Sequence, residues 1–153
     1  MAFVNSIATY SGQGYEYQSV LATVVTTAGS PQTVRCPAGS AVFSPAVTRG
    51  LWRCKVYNET SAVTLTNMTF QGSDGTNTVN LDNFVPVQVA SSFTISATAW
   101  VDHMGSFISD TSTAGGGATG TTIFGGFTFF NVILNVATGS GSASADVEVV
   151  ASP

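Results

Sequence analysis

Apolar side chains recur at every second position along most of the chain, which is the spacing of β-strands. Clear runs place them at Val85, Val87 and Val89, and again at Ala145, Val147 and Val149. No segment carries the spacing of three to four residues that an amphipathic helix requires. Val, Ile, Thr, Phe and Tyr fill these runs, and β-branched and aromatic residues favour strands. The pattern therefore predicts an all-β chain.

Turn-forming residues divide the chain into short runs. Gly, Pro, Ser and Asp cluster at residues 28–31, 37–39, 72–75 and 139–141, and such clusters separate strands. Counting the runs between them gives about eight to ten strands, without the alternation of strand and helix that a parallel sheet requires. We predict an antiparallel β-sandwich of the jelly-roll or immunoglobulin-like type. We assign residues 13–153 to this single domain and residues 1–12 to an N-terminal arm.

Charge is scarce on this chain. Only 8% of its residues are charged and 44% are hydrophobic, whereas soluble domains average about 25% charged residues. The hydrophobic content excludes disorder. Four basic residues and a net charge of −4 leave little to displace counterions from phosphates, so nucleic acid is not an expected partner. No stretch approaches the roughly 20 apolar residues of a membrane span, and the lack of a basic leader predicts synthesis and folding in a cytoplasm.

The segment from Phe127 to Val136 breaks the alternation because both of its faces are apolar. One parity carries Phe127, Phe129 and Ile133, and the other carries Phe130, Val132, Leu134 and Val136. A sandwich strand normally buries one face and wets the other, and an exposed second face would form an aromatic and aliphatic patch. The cover comes either from the chain's own loops and N-terminal arm or from another subunit.

The shortage of charge favours a second subunit as the cover, because a free-standing domain usually relies on exposed ions to stay dispersed. A homo-oligomer is therefore expected. The predicted interface, with a second subunit or another partner protein, consists of Phe3, Val4, Ile7, Phe127, Phe129, Phe130, Val132 and Leu134.

The chain has two cysteines, Cys36 and Cys54. If residues 32–36 and 51–57 are strands lying side by side, a disulfide is geometrically allowed. Two reduced, buried cysteines are the alternative that a cytoplasmic origin favours. Together with the single histidine, His103, they do not supply the four ligands of a structural zinc site, so no metal or other cofactor is predicted.

Asp102 and His103 form the one acid–histidine pair in the sequence. A general base would need a nucleophile such as Ser106 or Ser109 beside it, and close neighbours along a strand or turn rarely reach that geometry. We therefore predict that His103 lies in a loop after Val101, at an interface, and that the protein is not an enzyme.

Aromatic residues suggest a different class of function. Sugars stack on aromatic rings, and the candidates for such a platform are Tyr10, Tyr15, Tyr17, Trp52, Tyr57 and Trp100. They fall mostly within alternating runs, where aromatic side chains more often pack in a core or at an edge. A carbohydrate-binding β-sandwich module, for receptor or surface adhesion, is therefore the alternative function.

The chain also resembles a family by its composition. It begins at Met1 without a leader, is poor in charge, is rich in Ala, Gly, Ser, Thr and Val, and ends with GSGSASADVEVV over residues 139–150. In these respects it is similar to the small β-sandwich structural proteins of tailed-bacteriophage virions, especially capsid decoration (cement) proteins, and a tail-tube or head-fibre subunit would look similar.

The resemblance implies a homotrimer on the outer capsid surface that contacts the major capsid protein, clamps neighbouring capsomers and stabilises the shell. We therefore predict a non-enzymatic virion structural protein. It would be synthesised in the host cytoplasm and located on the virion.

Overall fold

The computed structural model describes residues 3–10, 14–25, 31–61, 63–85, 93–95, 100–109, 125–136 and 141–153, with the backbone alone described at 3–10, 58–61, 93–95 and 100. These residues form ten strands and no helix. The strands are β1 (Phe3–Tyr10), β2 (Tyr15–Val25), β3 (Gln32–Cys36), β4 (Arg49–Ser61), β5 (Val63–Ser73), β6 (Thr78–Phe84), β7 (Phe93–Ile95), β8 (Trp100–Ile108), β9 (Phe129–Val136) and β10 (Ser142–Ser152).

Two antiparallel sheets contain these strands. Sheet A has the order β1-β2-β10-β4-β8, and sheet B has the order β3-β9-β5-β6 with β7 also paired to β5. The pairs β2·β10, β3·β9, β4·β8 and β5·β6 nest within one another along the chain, as if one long hairpin were wrapped into two sheets. This nesting is the jelly-roll form of the β-sandwich. The predicted antiparallel β-sandwich is therefore confirmed, and the strand order selects the jelly roll.

The segment assigned to the N-terminal arm contains β1, at one edge of sheet A. β1 pairs with β2 from Phe3 opposite Ala22 to Tyr10 opposite Tyr15. Phe3, Val4 and Ile7 of the predicted interface lie on this strand, and their side chains are outside the described part of the structure. The division into an arm and a domain stays a prediction.

The core lies between the two sheets and is built around Phe130, which has no exposed area. Its ring centroid lies 5.0 Å from that of Phe70, 4.7 Å from that of Phe107 and 5.4 Å from that of Phe127. Trp52 stacks on the other side of Phe70, with centroids 4.5 Å apart and planes 2° from parallel. Because Trp52 and Phe107 belong to sheet A while Phe70 and Phe130 belong to sheet B, these rings join the sheets. Each such pair contributes about 0.5–1.5 kcal/mol beyond the burial of its area.

β9 buries one face in the core of its own chain. Phe130, Val132 and Leu134 are 0% exposed, so these side chains do not reach a surface that another subunit could contact. Their predicted place in an interface is wrong, because β9 is an internal strand between β3 and β5 and its inner face packs against sheet A. The chain itself covers this inner face, and the outer face is the one whose cover the sequence left undecided.

The residues just before β9 also turn inward. Phe127 is 0% exposed, so its predicted interface contact is wrong as well. It forms an isolated antiparallel bridge with Val47, and Gly126 beside it has a φ of 90°, which residues with a side chain rarely adopt. The alternation of inward and outward side chains is interrupted before β9 begins at Phe129. Phe127 and Phe130, three residues apart, therefore both point into the core.

The outer face of β9 carries the half-buried residues Phe129, Asn131, Ile133 and Asn135. Arg35 of β3 lies over the Phe129 ring, 4.1 Å from its centroid. Among the predicted interface residues whose side chains are described, Phe129 alone remains at the surface.

Replacing neighbouring phenylalanines of β9 tests this assignment of faces. Phe130→Ala is expected to lower the free energy of unfolding by about 3–5 kcal/mol, because it opens a cavity between the sheets. Phe129→Ala is the matched control and should cost clearly less, since its ring is half-buried. Urea denaturation of both variants measures the difference, and equal losses would contradict the assignment.

Candidate functional site

The two cysteines are free and buried. Cys36 lies on β3 of sheet B and Cys54 on β4 of sheet A, so their strands do not lie side by side as a disulfide would have required. Burial raises the pKa of Cys36 to about 12 and also raises the pKa of Cys54. Thiols held in the protonated form are poor nucleophiles. The structure therefore has the two buried, reduced cysteines of the alternative prediction.

His103 lies within β8 and not in the predicted loop. Its neighbour in sequence, Asp102, points to the other face of the sheet, where it binds Arg53. The carboxylate beside the imidazole is that of Asp82 on β6, with Nε2 and Oδ2 3.0 Å apart. Trp52 Nε1 donates a hydrogen bond to the same Oδ2 at 3.3 Å. The carboxylate that contacts His103 is therefore that of Asp82, which is distant in sequence, and not that of its neighbour Asp102.

A β-bulge turns Asp82 toward the space between the sheets. The pairing of β5 with β6 shifts between Phe70, opposite Asp82, and Gln71, opposite Asn80. Leu81 has no partner in this register, and an extra residue of this kind changes which face the following residues occupy. The bulge therefore brings the carboxylate to the indole and the imidazole of sheet A.

A close ring contact and a glycine complete this group, the Asp82 cluster of Trp52, Asp82, Phe84, His103 and Gly105. The Phe84 ring stacks on the imidazole with centroids 4.1 Å apart. A Cβ on Gly105 would overlap Asp82 Oδ2 and would lie 2.6 Å from Trp52 Nε1. The cluster joins the edge of sheet B at β6 to the edge of sheet A at β8. Its polar groups bind one another, and this arrangement is typical of a structural contact.

A nucleophile for His103 is not in place in the described part of the chain. Ser106 is exposed on the outer face of sheet A, whereas His103 points to the inner face. Ser109 is buried, and its backbone N–H donates to the Thr48 carbonyl at 2.7 Å. Neither serine makes a described hydrogen bond to the imidazole.

Adding one methyl group to Gly105 tests the Asp82 cluster. Gly105→Ala is expected to destabilise the protein by at least about 1–3 kcal/mol, because the added Cβ separates Asp82 from Trp52. Gly125→Ala is the control, since a Cβ there would meet nothing within 4 Å. Thermal unfolding of both variants measures the effect, and a Gly105→Ala variant as stable as the control would argue against the cluster.

Charged side chains and one tyrosine link four strands across the outer face of sheet A. Arg53 on β4 donates two hydrogen bonds to Asp102 on β8, at 2.8 and 2.7 Å, and one to Glu148 on β10 at 3.1 Å. Tyr17 on β2 donates a hydrogen bond to Glu148 as well. The paired bonds to Asp102 have the fork geometry of a strong arginine–carboxylate contact. The Arg53 guanidinium holds the pKa of Asp102 below its usual range.

This lowered pKa predicts a pH dependence of stability. Because the pKa is lower in the folded chain, the Asp102 contact stabilises the protein above the unfolded pKa of about 3.9 and is lost as the pH falls through the folded value. Asp102→Asn should therefore lower the urea midpoint slightly at pH 7, since the pair is partly exposed. The difference from wild type should shrink as the pH falls below the unfolded pKa of about 3.9, and a difference that stays constant throughout acid titration would contradict this contribution.

An apolar surface lies beside the charged network. Leu51 on β4 and Met104 and Ile108 on β8 are 50%, 64% and 50% exposed. Leu51 pairs with Ser106, so Met104 and Ile108 are its diagonal neighbours on the same face, within the reach of long side chains. These three residues are called the β4–β8 patch below.

The surface is concave around the β4–β8 patch. A groove of about 490 Å³ has Tyr15, Arg49, Leu51, Ser106, Ile108 and Val150 among its lining residues. Two further hollows of about 280 and 270 Å³ also include Ile108 in their walls. The larger groove falls within the range of ligand-sized pockets. We call it the Arg49 groove.

Sequence reasoning missed the β4–β8 patch and Asp82. A signal for the patch was present, since Leu51 shares the outward parity of Arg49, Arg53 and Lys55 on β4, where a polar residue is the expectation. No comparable signal marked Asp82, because its orientation depends on the bulge.

The aromatic residues considered for a sugar platform do not form one group. The strand register places Tyr10 opposite Tyr15 and Tyr57 opposite Trp100. Trp52 is 1% exposed and belongs to the core. Tyr17 aligns with Leu51 through Val150, and Tyr57 lies six residues further along β4, which is about 20 Å. The side chains of Tyr10 and Trp100 lie outside the described part of the structure. Tyr15, at 41% exposure, remains the most accessible of the described candidates.

The described residues contain no group of three or more His, Cys, Asp or Glu side chains that could hold a metal ion. They also contain no helix that is long and apolar enough to cross a membrane.

Known proteins similar to this chain are found among solved structures, at low sequence identity. No protein-family model matches it, and no curated protein sequence matches it. Among solved structures, the CBM22-1 xylan-binding domain of Paenibacillus barcinonensis Xyn10C is 13% identical with a TM-score of 0.41, over 97% of this chain and 80% of that one. A chain in the structure of infectious bursal disease virus, Gt strain, is 12% identical with a TM-score of 0.25, over 91% of this chain and 40% of that one. At these scores neither likeness carries an argument about function.

Proposed function

We propose that this protein is a non-enzymatic virion structural protein, a capsid decoration protein that docks on the outer surface of the shell through the β4–β8 patch. The patch is the observation that carries the proposal. An apolar patch exposed on a soluble domain often marks a contact with another macromolecule. Leu51, Met104 and Ile108 are each at least half exposed and lie side by side.

The charge of the chain supports an outer location. Eight acidic residues against four basic ones suit a position away from packaged nucleic acid, whose phosphates attract basic surfaces. A lattice presents many equivalent sites, so modest contacts repeated over several linked subunits would give firm attachment.

The jelly-roll fold is compatible with this role without deciding it. Viral capsid domains and lectin domains both use jelly rolls, and a fold by itself does not specify a function. The choice between these classes therefore rests on the surface. Tyr17 and Tyr57 lie about 20 Å apart along sheet A, whereas Met104 and Ile108 are both diagonal neighbours of Leu51. The closer grouping of the apolar side chains favours docking on a protein over stacking on a sugar.

The proposal includes self-association, with a homotrimer as the expected form. β1 lies at an edge of sheet A, and Phe129 is half-buried on the outer face of sheet B. The proposed subunit contact therefore uses β1, which carries Phe3, Val4 and Ile7 of the predicted interface, together with Phe129. An enzymatic role has less support, because the His103 imidazole is held between Asp82 and the Phe84 ring.

Attachment to particles tests this function. Purified chain is added to intact virus particles isolated from the source of the sequence, and bound protein is measured by co-sedimentation and by immunogold labelling of the particle surface. We expect saturable surface attachment by the wild type. The double variant Leu51→Ser, Met104→Ser should bind at least about tenfold more weakly, since it removes apolar area from the contact.

The matched control is Val42→Ser, because Val42 is 48% exposed and lies in the loop between β3 and β4, outside the β4–β8 patch. It should bind like the wild type. If the added wild-type protein does not bind to the particles, the proposal is wrong. It is also wrong if the double variant binds as tightly as the wild type. Saturable glycan binding by a monomer, without attachment to particles, would establish the carbohydrate-binding alternative instead.

A further inference from the structure

Arg49 differs from the other basic residues of the chain, which are Arg35, Arg53 and Lys55. Arg35 donates to two backbone carbonyls at 2.6 and 2.8 Å, and Arg53 binds two carboxylates. Lys55 Nζ lies 5.7 Å from the centroid of the Tyr57 ring. Among the described residues, the Arg49 side chain has no partner in a hydrogen bond or ion pair, although its backbone pairs within sheet A. Its charge is therefore available to a partner.

The surroundings of Arg49 would strengthen a bond to an anion. Its guanidinium is the one charged group among the described residues that line the Arg49 groove, and Tyr15, Leu51, Ile108 and Val150 supply most of the remaining wall. An apolar occupant would exclude water from this groove, and charge interactions grow as the local dielectric falls. A carboxylate suits arginine best, because it accepts two parallel hydrogen bonds from the guanidinium.

The neighbouring edge of sheet A offers backbone groups as well. Among the described strands β8 pairs with β4 alone, so its other edge presents N–H and C=O groups that an extended peptide can pair with. Ile108 lies directly opposite Arg49 in the β4–β8 register. A strand added beyond β8 would lie about 10 Å from β4, two strand spacings away, which the side chains of Arg49 and a glutamate can span together.

We infer that the Arg49 groove and the free edge of β8 bind an extended segment of a partner protein. The segment adds a strand to sheet A, lays apolar side chains on the β4–β8 patch and places a carboxylate on Arg49. The inference rests on the proposed function in one respect, because both take the partner to be a protein. It adds that the segment bound is an extended strand with apolar side chains and a carboxylate.

Selection from a random peptide library tests the inference without any particle. The full chain is immobilised and used to select from displayed peptides of about ten residues. We expect the enriched peptides to share an Asp or Glu flanked by apolar residues at alternate positions. N-methylation of alternate backbone amides in an enriched peptide should abolish its binding, because it removes the donors that a strand requires.

Two arginine variants then separate the groove from general electrostatic attraction. Arg49→Gln should weaken binding of an enriched peptide at least about tenfold in a fluorescence titration, because the charge-assisted bond is lost. Arg35→Gln, which removes the same charge from the outer face of sheet B, should leave the affinity unchanged. Circular dichroism of both variants confirms that each is folded.

Several results would overturn the inference. They are an enriched set without acidic residues, no enrichment at all, equal binding by the Arg49→Gln variant, or unaffected binding by the N-methylated peptide. If Arg49→Gln instead converts an oligomer to a monomer, a second copy occupies the groove and the inference is wrong. Peptide binding together with no particle attachment would leave this inference standing and overturn the proposed function.

Discussion

The stacking of aromatic rings between the two sheets is the interaction on which the rest of this structure depends. Trp52 of sheet A lies parallel to Phe70 of sheet B, and Phe70 stacks in turn on Phe130, with centroids 5.0 Å apart and planes 10° from parallel. A buried tryptophan must find an acceptor for its indole N–H. Asp82 provides that acceptor, and Gly105 leaves the space for it. The ring packing thus requires both a bulge in β6 and a residue without a side chain in β8.

The same packing decides what is left for the surface. The inner faces of both sheets are used by the core, which takes in Phe127 and Phe130 as well as the inward residues of β4 and β8. The few charges on the outer face of sheet A are mostly engaged in a network across its strands, centred on Arg53. With so few ions in the sequence, the described residues around Arg49 and Ile108 at the end of this face carry one charged group, the Arg49 guanidinium.

Function in a jelly roll is carried by its surface, because the fold itself serves several unrelated classes. Here the surface combines an apolar patch, a shallow groove and an open strand edge within a few residues of one another. Each feature alone is common on soluble proteins. Their combination on β4 and β8 is the reason for proposing that this corner of sheet A docks on a partner, and for proposing a protein as that partner in place of a sugar.

The sequence by itself determined that the chain is an all-β sandwich, because the two-residue period of strands and the chemistry of turns are local properties. It also marked the burial of the cysteines as an alternative. Only the tertiary structure decided that Phe127 and Phe130 share a side, that Asp82 and not Asp102 meets His103, and that Leu51, Met104 and Ile108 adjoin. These outcomes depend on a break in parity, a bulge and the order of strands distant in sequence, and long-range register leaves no local trace in the pattern of residues.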